Sequence, residues 1–476
     1  MGQEIESEHF TEDDFIAFRS RLREETKTLK CWFEERRFDA DEDLTIGLEL
    51  EGWLIDENYL PAPRNKEFLT AVHNPDICEE LSAFNFEMND APKTLTGTAL
   101  SDTQEGLAAT WTTCWRACDI VGVRPLLIGI LPTVRDDMLQ LEWLSEGARY
   151  RALNRELLNI RSSEPLHIRI EGHDELDYHC DNIMLEAACT SLQSHLKVSQ
   201  DDAPRYYNAG ILAAAPLVAA TANSAYLYGK SLWCETRIPA FEQATAVKGF
   251  RDLAGRNVLR VTLGTGYLRN SFVEPFLENL SYPAVLPAIQ ETSERLPHLR
   301  MQNGTIWRWV RPIIGFDGQN RPHLRIEHRV IPAGPTLTDV TANLAMCHGL
   351  MLALAQAEVP PETETSFEEA HRNFYACAKD GLDADVTWAG RTVNVQSLLL
   401  NELLPKAREA LERAHIARAD LDRYFADVLV PRVRTGRTGA AWQRSFMTCE
   451  NANVQAMTAR YMELQAGGEP VHTWKV

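Results

Sequence analysis

The sequence predicts an α+β fold, an antiparallel sheet with helices packed to one side. Residues 44–56 (LTIGLELEGWLID) alternate in strand fashion, Ile46, Leu48 and Leu50 facing one way and Gly47, Glu49 and Glu51 the other. Residues 190–198 and 324–330 carry the same period of two. Between them lie helical windows, and the two kinds of segment follow one another without the βαβ rhythm of a parallel sheet.

In chain order, residues 15–37 space apolar and charged residues as a helix does, and 84–89 read as a second short strand. Residues 101–121 form a helix with Asp102 near its start, and 124–132 (RPLLIGILP) an apolar strand. A helix at 148–160 and a strand or turn at 166–171 precede the alternating 190–198 segment. Residues 204–222, 335–357 and 398–429 read as long helices. Two apolar runs, 211–222 with Pro216 inside and 344–357 with His348 and Gln356, fall short of the roughly 20 residues that cross a bilayer. They read as buried helices. There is no internal repeat and no low-complexity linker.

Composition narrows the function. Among 476 residues, 48 Lys and Arg stand against 68 Asp and Glu, a net charge of −20. An acidic surface argues against nucleic acid as the main partner, since phosphate backbones need cationic surfaces. A local arginine cluster or a divalent cation still allows an anionic substrate in one cleft. The first 15 residues are acidic and polar, without a basic n-region or an apolar h-region, and the ten cysteines are scattered with no CxxC pair. The expectation is a cytoplasmic protein with reduced thiols, with no membrane partner. Cys114 and Cys118, one helical turn apart, read as small core residues.

The chemistry-bearing residues lie on the strands. Glu49 and Glu51 share one face about 7 Å apart. Two carboxylates there repel unless they are solvated or a hard cation sits between them. Glu87 lies on the second strand, in FNFEMNDAP; Gln193 and His195 share a face of TSLQSHL; Arg325, Glu327 and Arg329 share a face of LRIEHRV. Each alone fits a solvated strand face, a satisfied histidine or a salt-bridged ladder. Together they would line one concave face with carboxylates, an amide, an imidazole and guanidiniums. Mg-nucleotide chemistry needs such a set where no GxxxxGK[ST] loop exists. Gly264-Thr265-Gly266 reads as a turn. His167, His173 and His179 suit either a metal site or, more simply, a solvent-facing loop.

Seven segments, in order, resemble the glutamate–cysteine ligases of the plant and proteobacterial type, within the glutamine synthetase-like superfamily. They are IGLELEGWLID, FEMNDAPKTL, GARYRALNREL, ACTSLQSHL, ANSAYLYGK with the Arg237 that follows it, RIEHRVIPAGPT and VRTGRTGAAWQ, spread over residues 44–445. The resemblance implies a curved antiparallel sheet lining the active site, with helices on its outer face. It implies one catalytic domain over 1–476, made of a helical extension (1–43), a ligase core (44–445) and a C-terminal tail (446–476).

It further implies that Glu49, Glu51, Glu87 and Glu327 hold Mg²⁺, or Mn²⁺ in its place. Arg329 would stabilise the transferred phosphoryl group and Arg237, with Arg149, would grip carboxylate or phosphate oxygens. Gln193, His195 and Arg325 would contact nucleotide or substrate. ATP, glutamate and an amine such as cysteine are the implied small-molecule partners, on the route to glutathione, and the implied assembly is a monomer or homodimer. His195 stands where the family has Asn, and Arg237 is followed by Ile-Pro. Arg432, Arg434 and Arg437 suit either closure over a nucleotide or a solvated surface. A guanidino phosphotransferase would need a positioned thiol, which no cysteine motif marks. A non-catalytic paralogue would have lost site carboxylates, and all four are present.

Overall fold

Strand β1 (Thr45–Ile55) grows from the alternating segment and sits inside the sheet. The computed structural model describes residues 5, 7–38, 43–247, 259–288 and 294–476. After β1 come β2 (Ile77–Glu79), β3 (Asn85–Thr94) and β4 (Arg124–Leu126), then a hairpin of β5 (Leu166–Glu171) and β6 (Glu175–Cys180). Strand β7 (Ser191–Val198) precedes the small hairpin β8 (Tyr226–Leu227) and β9 (Lys230–Ser231). Then follow β10 (Val310–Phe316), β11 (Pro322–Pro332) and a last hairpin, β12 (Asp385–Trp388) with β13 (Arg391–Asn394). The main sheet runs β10-β11-β7-β1-β3-β2, with β4 also on β1, and its pairings are antiparallel. Register breaks between Ile46 and Leu48 and between His328 and Ile331 bend it.

Side-chain alternation sorts the two faces. The back face meets helices. Ser194 Oγ lies 3.2 Å from His348 Nε2 on the helix Leu337–Ala355, and His328 Nε2 lies 3.0 Å from the Gly210 carbonyl on the helix Ala203–Thr221. Met88 of β3 touches Cys114 of the helix Ala99–Val121. The odd-numbered neighbours of these sheet residues, Glu87, Gln193, His195 and Glu327, therefore face the other way. The expectation of an α+β fold, with helices on the outer side of an antiparallel sheet, holds. So do the readings of 211–222 and 344–357 as buried helices: the helix Leu337–Ala355 is apolar enough to span a bilayer by composition, yet 83% of its apolar window is buried in the protein. Cys114 and Cys118 are core residues.

Three readings are corrected. The 124–132 strand stops at Leu126; residues 127–131 stay buried but leave the ladder, because an apolar run signals burial rather than pairing. The Leu127 amide donates to Gln465 Oε1 (3.1 Å), and its carbonyl accepts from Gln465 Nε2 (2.7 Å) and the Tyr461 hydroxyl (3.0 Å). Both partners lie on the helix Val454–Gly467. The 398–429 helix is two rods. One ends at Arg413, and the next begins at Arg418. The chain turns between them through His415 at φ 62°, and Ala417 donates to the Gly97 carbonyl at 2.7 Å. Both rods bury one apolar face, so the periodicity runs on past the break. The 166–181 stretch is the β5–β6 hairpin rather than a loop, although its histidines do face solvent.

The N-terminal helix Glu12–Glu34 opens with a capping box between Thr11 and Asp14 and buries Phe18, Leu22, Leu29 and Trp32. Its Glu25 accepts from the Leu299 amide at 2.8 Å and meets His298 Nδ1 at 2.6 Å.

Candidate active site

Register places the front-face residues against each other. Glu51 pairs with Glu87 across β1 and β3, and Glu49 with Gln193 across β1 and β7. His195 pairs with Gly47 on one side and Glu327 on the other, and Glu327 with Arg311 of β10. Opposite His195 there is only a glycine hydrogen, so the imidazole lies over β1 and reaches the carboxylates.

The acidic groups form two neighbouring clusters. In the first, His195 Nε2 stands 3.3 Å from Glu49 Oε1 and 4.0 Å from Glu327 Oε2. In the second, ligand atoms of Glu51, Glu80 and Glu87 lie within 4.8 Å of one another. A hydrogen-bonded line links the two. Arg311 Nη2 donates to Glu327 Oε2 at 2.7 Å and Arg329 Nη1 to Glu327 Oε1 at 2.7 Å; Arg329 Nη1 also donates to Gln193 Oε1. Gln193 Nε2 then donates to Glu51 Oε1 at 2.9 Å, and the Ser191 amide to Glu51 Oε2 at 2.6 Å. Glu87 Oε1 accepts from Asn89 Nδ2 at 3.1 Å and from the Cys78 thiol at 3.4 Å.

The charges are not balanced. Glu327 is the well-served member: burial raises its pKa, but Arg311, Arg329 and His195 outweigh burial and hold it down to about 2. Burial likewise opposes ionisation of Glu49, and the adjoining His195 charge wins, so it stays well below the carboxylate range. Glu51 goes the other way: burial and the Glu80 charge push it to about 7 against Arg329. Glu87 is driven well above the usual range by burial, then by Glu49 and Glu80. Glu186, in the turn before β7, is raised by burial and by Glu80 and Glu51. Buried carboxylates crowded this way hold protons or a cation. Both ring nitrogens of His195 are buried, and Nε2 faces the Glu49 and Glu327 carboxylates. Carboxylate oxygens with one imidazole suit a hard divalent ion such as Mg²⁺ or Mn²⁺, so the residues present fit one.

The structure thus brings together Glu49, Glu51, Glu87, Glu327, Gln193, His195 and Arg329. Arg325 lies two residues before Glu327 on the same strand, in register with Lys197. Arg149 stands off the sheet, stacked 4.4 Å over the Tyr150 ring, whose hydroxyl senses Glu80. Arg237 is enclosed: its Nε donates to Glu235 at 3.1 Å, and its Nη2 to the Arg329 and Val330 carbonyls, bracing the β11 bulge from behind. Arg432 is interior, paired with Asp339 at 2.8 Å, whereas Arg434 and Arg437 are exposed.

Three further residues join the site without having been read from the sequence. Glu80 directly follows β2 in irregular backbone, outside any alternation. Arg311 precedes Pro312 on β10, and proline argues against a strand interior. Glu186 lies in a three-residue turn.

Comparison with known proteins follows the same lines. Residues 45–462 match the family described as glutamate–cysteine ligase family 2. A glutamate–cysteine ligase from Francisella tularensis, solved in complex with AMP, superposes with a TM-score of 0.51 at 10% identity, over 92% of this chain and 96% of that one. A bifunctional glutathione synthetase from Pasteurella multocida gives 0.55 at 10% identity, over 90% of this chain; the chain spans 53% of its length. At such identities these two share the fold. No curated protein matches the sequence. With the family match running from β1 into the C-terminal helix and across the whole acidic face, the chain belongs to glutamate–cysteine ligase family 2.

Proposed function

We propose that the protein is an ATP- and Mg²⁺-dependent carboxylate–amine ligase, joining glutamate to cysteine through a γ-glutamyl phosphate. The observation that carries this reading is the pair of acidic clusters joined through Gln193 to Arg329 on one sheet face. The AMP in the Francisella enzyme supports an adenine nucleotide in this fold.

A carboxylate is a poor acylating agent, and phosphorylation supplies the leaving group. An oxygen of the glutamate γ-carboxylate forms a bond to the γ-phosphorus of ATP as the β–γ bridge breaks and ADP departs. The amine nitrogen of the acceptor then bonds to the acyl carbon, phosphate leaves, and the nitrogen loses a proton. Glu49, Glu51, Glu80, Glu87 and Glu327, with His195, would hold the divalent ions. When bound, those ions neutralise phosphate charge and polarise the transferred group.

The chain's own residues do the rest. Glu327 fixes Arg329, whose planar fork meets the equatorial oxygens of the moving phosphoryl group. Gln193 keeps Arg329 in register with Glu51. Arg237 holds the backbone beneath Arg329, so the guanidinium is positioned before substrate arrives.

Purified protein with ATP, Mg²⁺ and glutamate should release ADP when cysteine is added, and EDTA should stop it. Release with another amine replaces the acceptor and keeps the ligase. No release with any amine, despite Mg-ATP binding, refutes glutamate as donor.

A further inference from the structure

The β5–β6 hairpin carries a second group of metal-ligating side chains, away from the acidic face. Its inner side is apolar: Leu166, Ile168, Ile170, Leu176 and Cys180 are buried. Its outer side holds His167 directly opposite His179, and Arg169 directly opposite Asp177. The two imidazoles lie parallel, with centroids 4.4 Å apart and planes 4° apart. Asp177 Oδ1 reaches diagonally to His167 Nε2 at 2.9 Å. Arg169, the cross-strand neighbour of Asp177, turns instead to Glu171 (2.8 Å) and Glu175 (3.0 Å). Asp177 is thus left to the histidines.

We infer that His167, Asp177 and His179 form a surface site for a borderline transition-metal ion, Zn²⁺, Ni²⁺ or Cu²⁺. One ligand atom from each already lies within 4.8 Å of the others. A four-coordinate ion with bonds of about 2.0–2.2 Å sets its ligands about 3.4 Å apart, a closure that small side-chain rotations on an exposed hairpin achieve. Two imidazoles and one carboxylate leave a fourth position for water. Imidazole nitrogen prefers these ions, whereas Mg²⁺ prefers the oxygen set of the acidic face. The hairpin, with two imidazoles against the single His195 of the acidic face, is the better seat for these ions.

The ion would cross-link two strands that anchor the neighbourhood of the site. Asp174 Oδ2 accepts from the Ser231 amide at 2.8 Å, the Arg169 amide donates to Gln243 at 2.8 Å, and Gln243 lies on the helix that begins with Arg237.

The test is equilibrium dialysis of the full-length protein against Ni²⁺ with Mg²⁺ in large excess, for the wild type, His167→Ala, His179→Ala and Arg169→Ala. The expected result is about one Ni²⁺ per chain in the wild type and in Arg169→Ala. Each histidine variant should lose it, and Cu²⁺ should bind tighter than Ni²⁺. Equal Ni²⁺ binding by the histidine variants places the ion elsewhere and overturns the assignment. No Ni²⁺ binding by the wild type overturns it as well.

Discussion

Glu51 and Glu87 face each other directly across β1 and β3, two buried carboxylates in register, and both have their pKa raised. A pair of this kind is held against its own electrostatics until a cation arrives. Replacing either with Gln removes the repulsion and keeps the shape. The metal-free Glu51→Gln and Glu87→Gln proteins should melt at or above the wild-type temperature, with a gain of about 1 kcal/mol. Their ATP-dependent turnover should fall on the order of 100-fold or more. Mg²⁺ should raise the melting temperature of the wild type more than that of either variant. Thermal denaturation with and without EDTA reads both.

Glu49→Gln and Glu327→Gln should abolish turnover by different routes. Glu49 faces His195, while Glu327 is bonded to Arg311 and Arg329 and orients the latter. Both variants should keep the wild-type circular dichroism spectrum. Full activity in either removes that residue from the site.

Arg329→Lys should lower kcat more than it raises KM for ATP. Arg329 Nη1 alone holds Glu327 and Gln193, which leaves the rest of the guanidinium for the phosphoryl group, and a single ammonium cannot serve both. A drop of 10- to 100-fold in kcat, with KM changed by less than about threefold, is the expected split.

Glu242 supplies a pH dependence away from the reaction. Its Oε1 accepts from Trp309 Nε1 at 2.8 Å and from the Tyr375 hydroxyl at 2.6 Å, and burial pushes its pKa to about 7. A raised carboxylate pKa means that the folded state keeps a proton the unfolded chain has already lost. Its contribution is nil below about pH 4.5; stability then falls as pH rises to about 7 and levels off above it. Glu242→Gln, which retains the acceptor, should flatten that decline by on the order of 2–3 kcal/mol in denaturant titrations at pH 5 and pH 8.

Arg432 tests the interior. Its Nη2 donates to Asp339 Oδ1 at 2.8 Å, and Asp339 also closes a capping box with Thr336 and accepts from the Val471 amide. Arg432→Ala strands a buried carboxylate and should cost about 3–5 kcal/mol by urea unfolding. Arg434→Ala, on the exposed side, should stay within about 0.5 kcal/mol.

The legible part of the fold was the part with a clean period. The alternation of β1 and β7 located Glu49, Glu51, Gln193 and His195, because a strand places every second residue on one face. What stayed hidden depends on contacts distant in sequence. Glu80 reaches the site from irregular backbone and Glu186 from a single 3-10 turn, and Arg311 joins it only because β10 pairs with β11. Beyond Leu126 the chain leaves the ladder, and Leu127 bonds instead to Gln465, 338 residues away. The family resemblance implies that Arg237 grips substrate oxygens; in the fold its guanidinium meets Glu235 and the Arg329 and Val330 carbonyls, contacts that no local pattern announces.

The bonds from Gln465 and Tyr461 to Leu127 also bear on how the protein is made. A ribosome delivers Leu127 long before it delivers the helix Val454–Gly467. Until that helix emerges, the buried Leu127 amide and carbonyl lack these partners, while the Gly129 carbonyl can already accept from Thr190. The strands of the main sheet are all synthesised by Pro332, so well over a hundred residues must still follow before the bonds to Leu127 can close. A chain truncated before Val454 should therefore be cleaved by a protease after β4 sooner than the full-length chain.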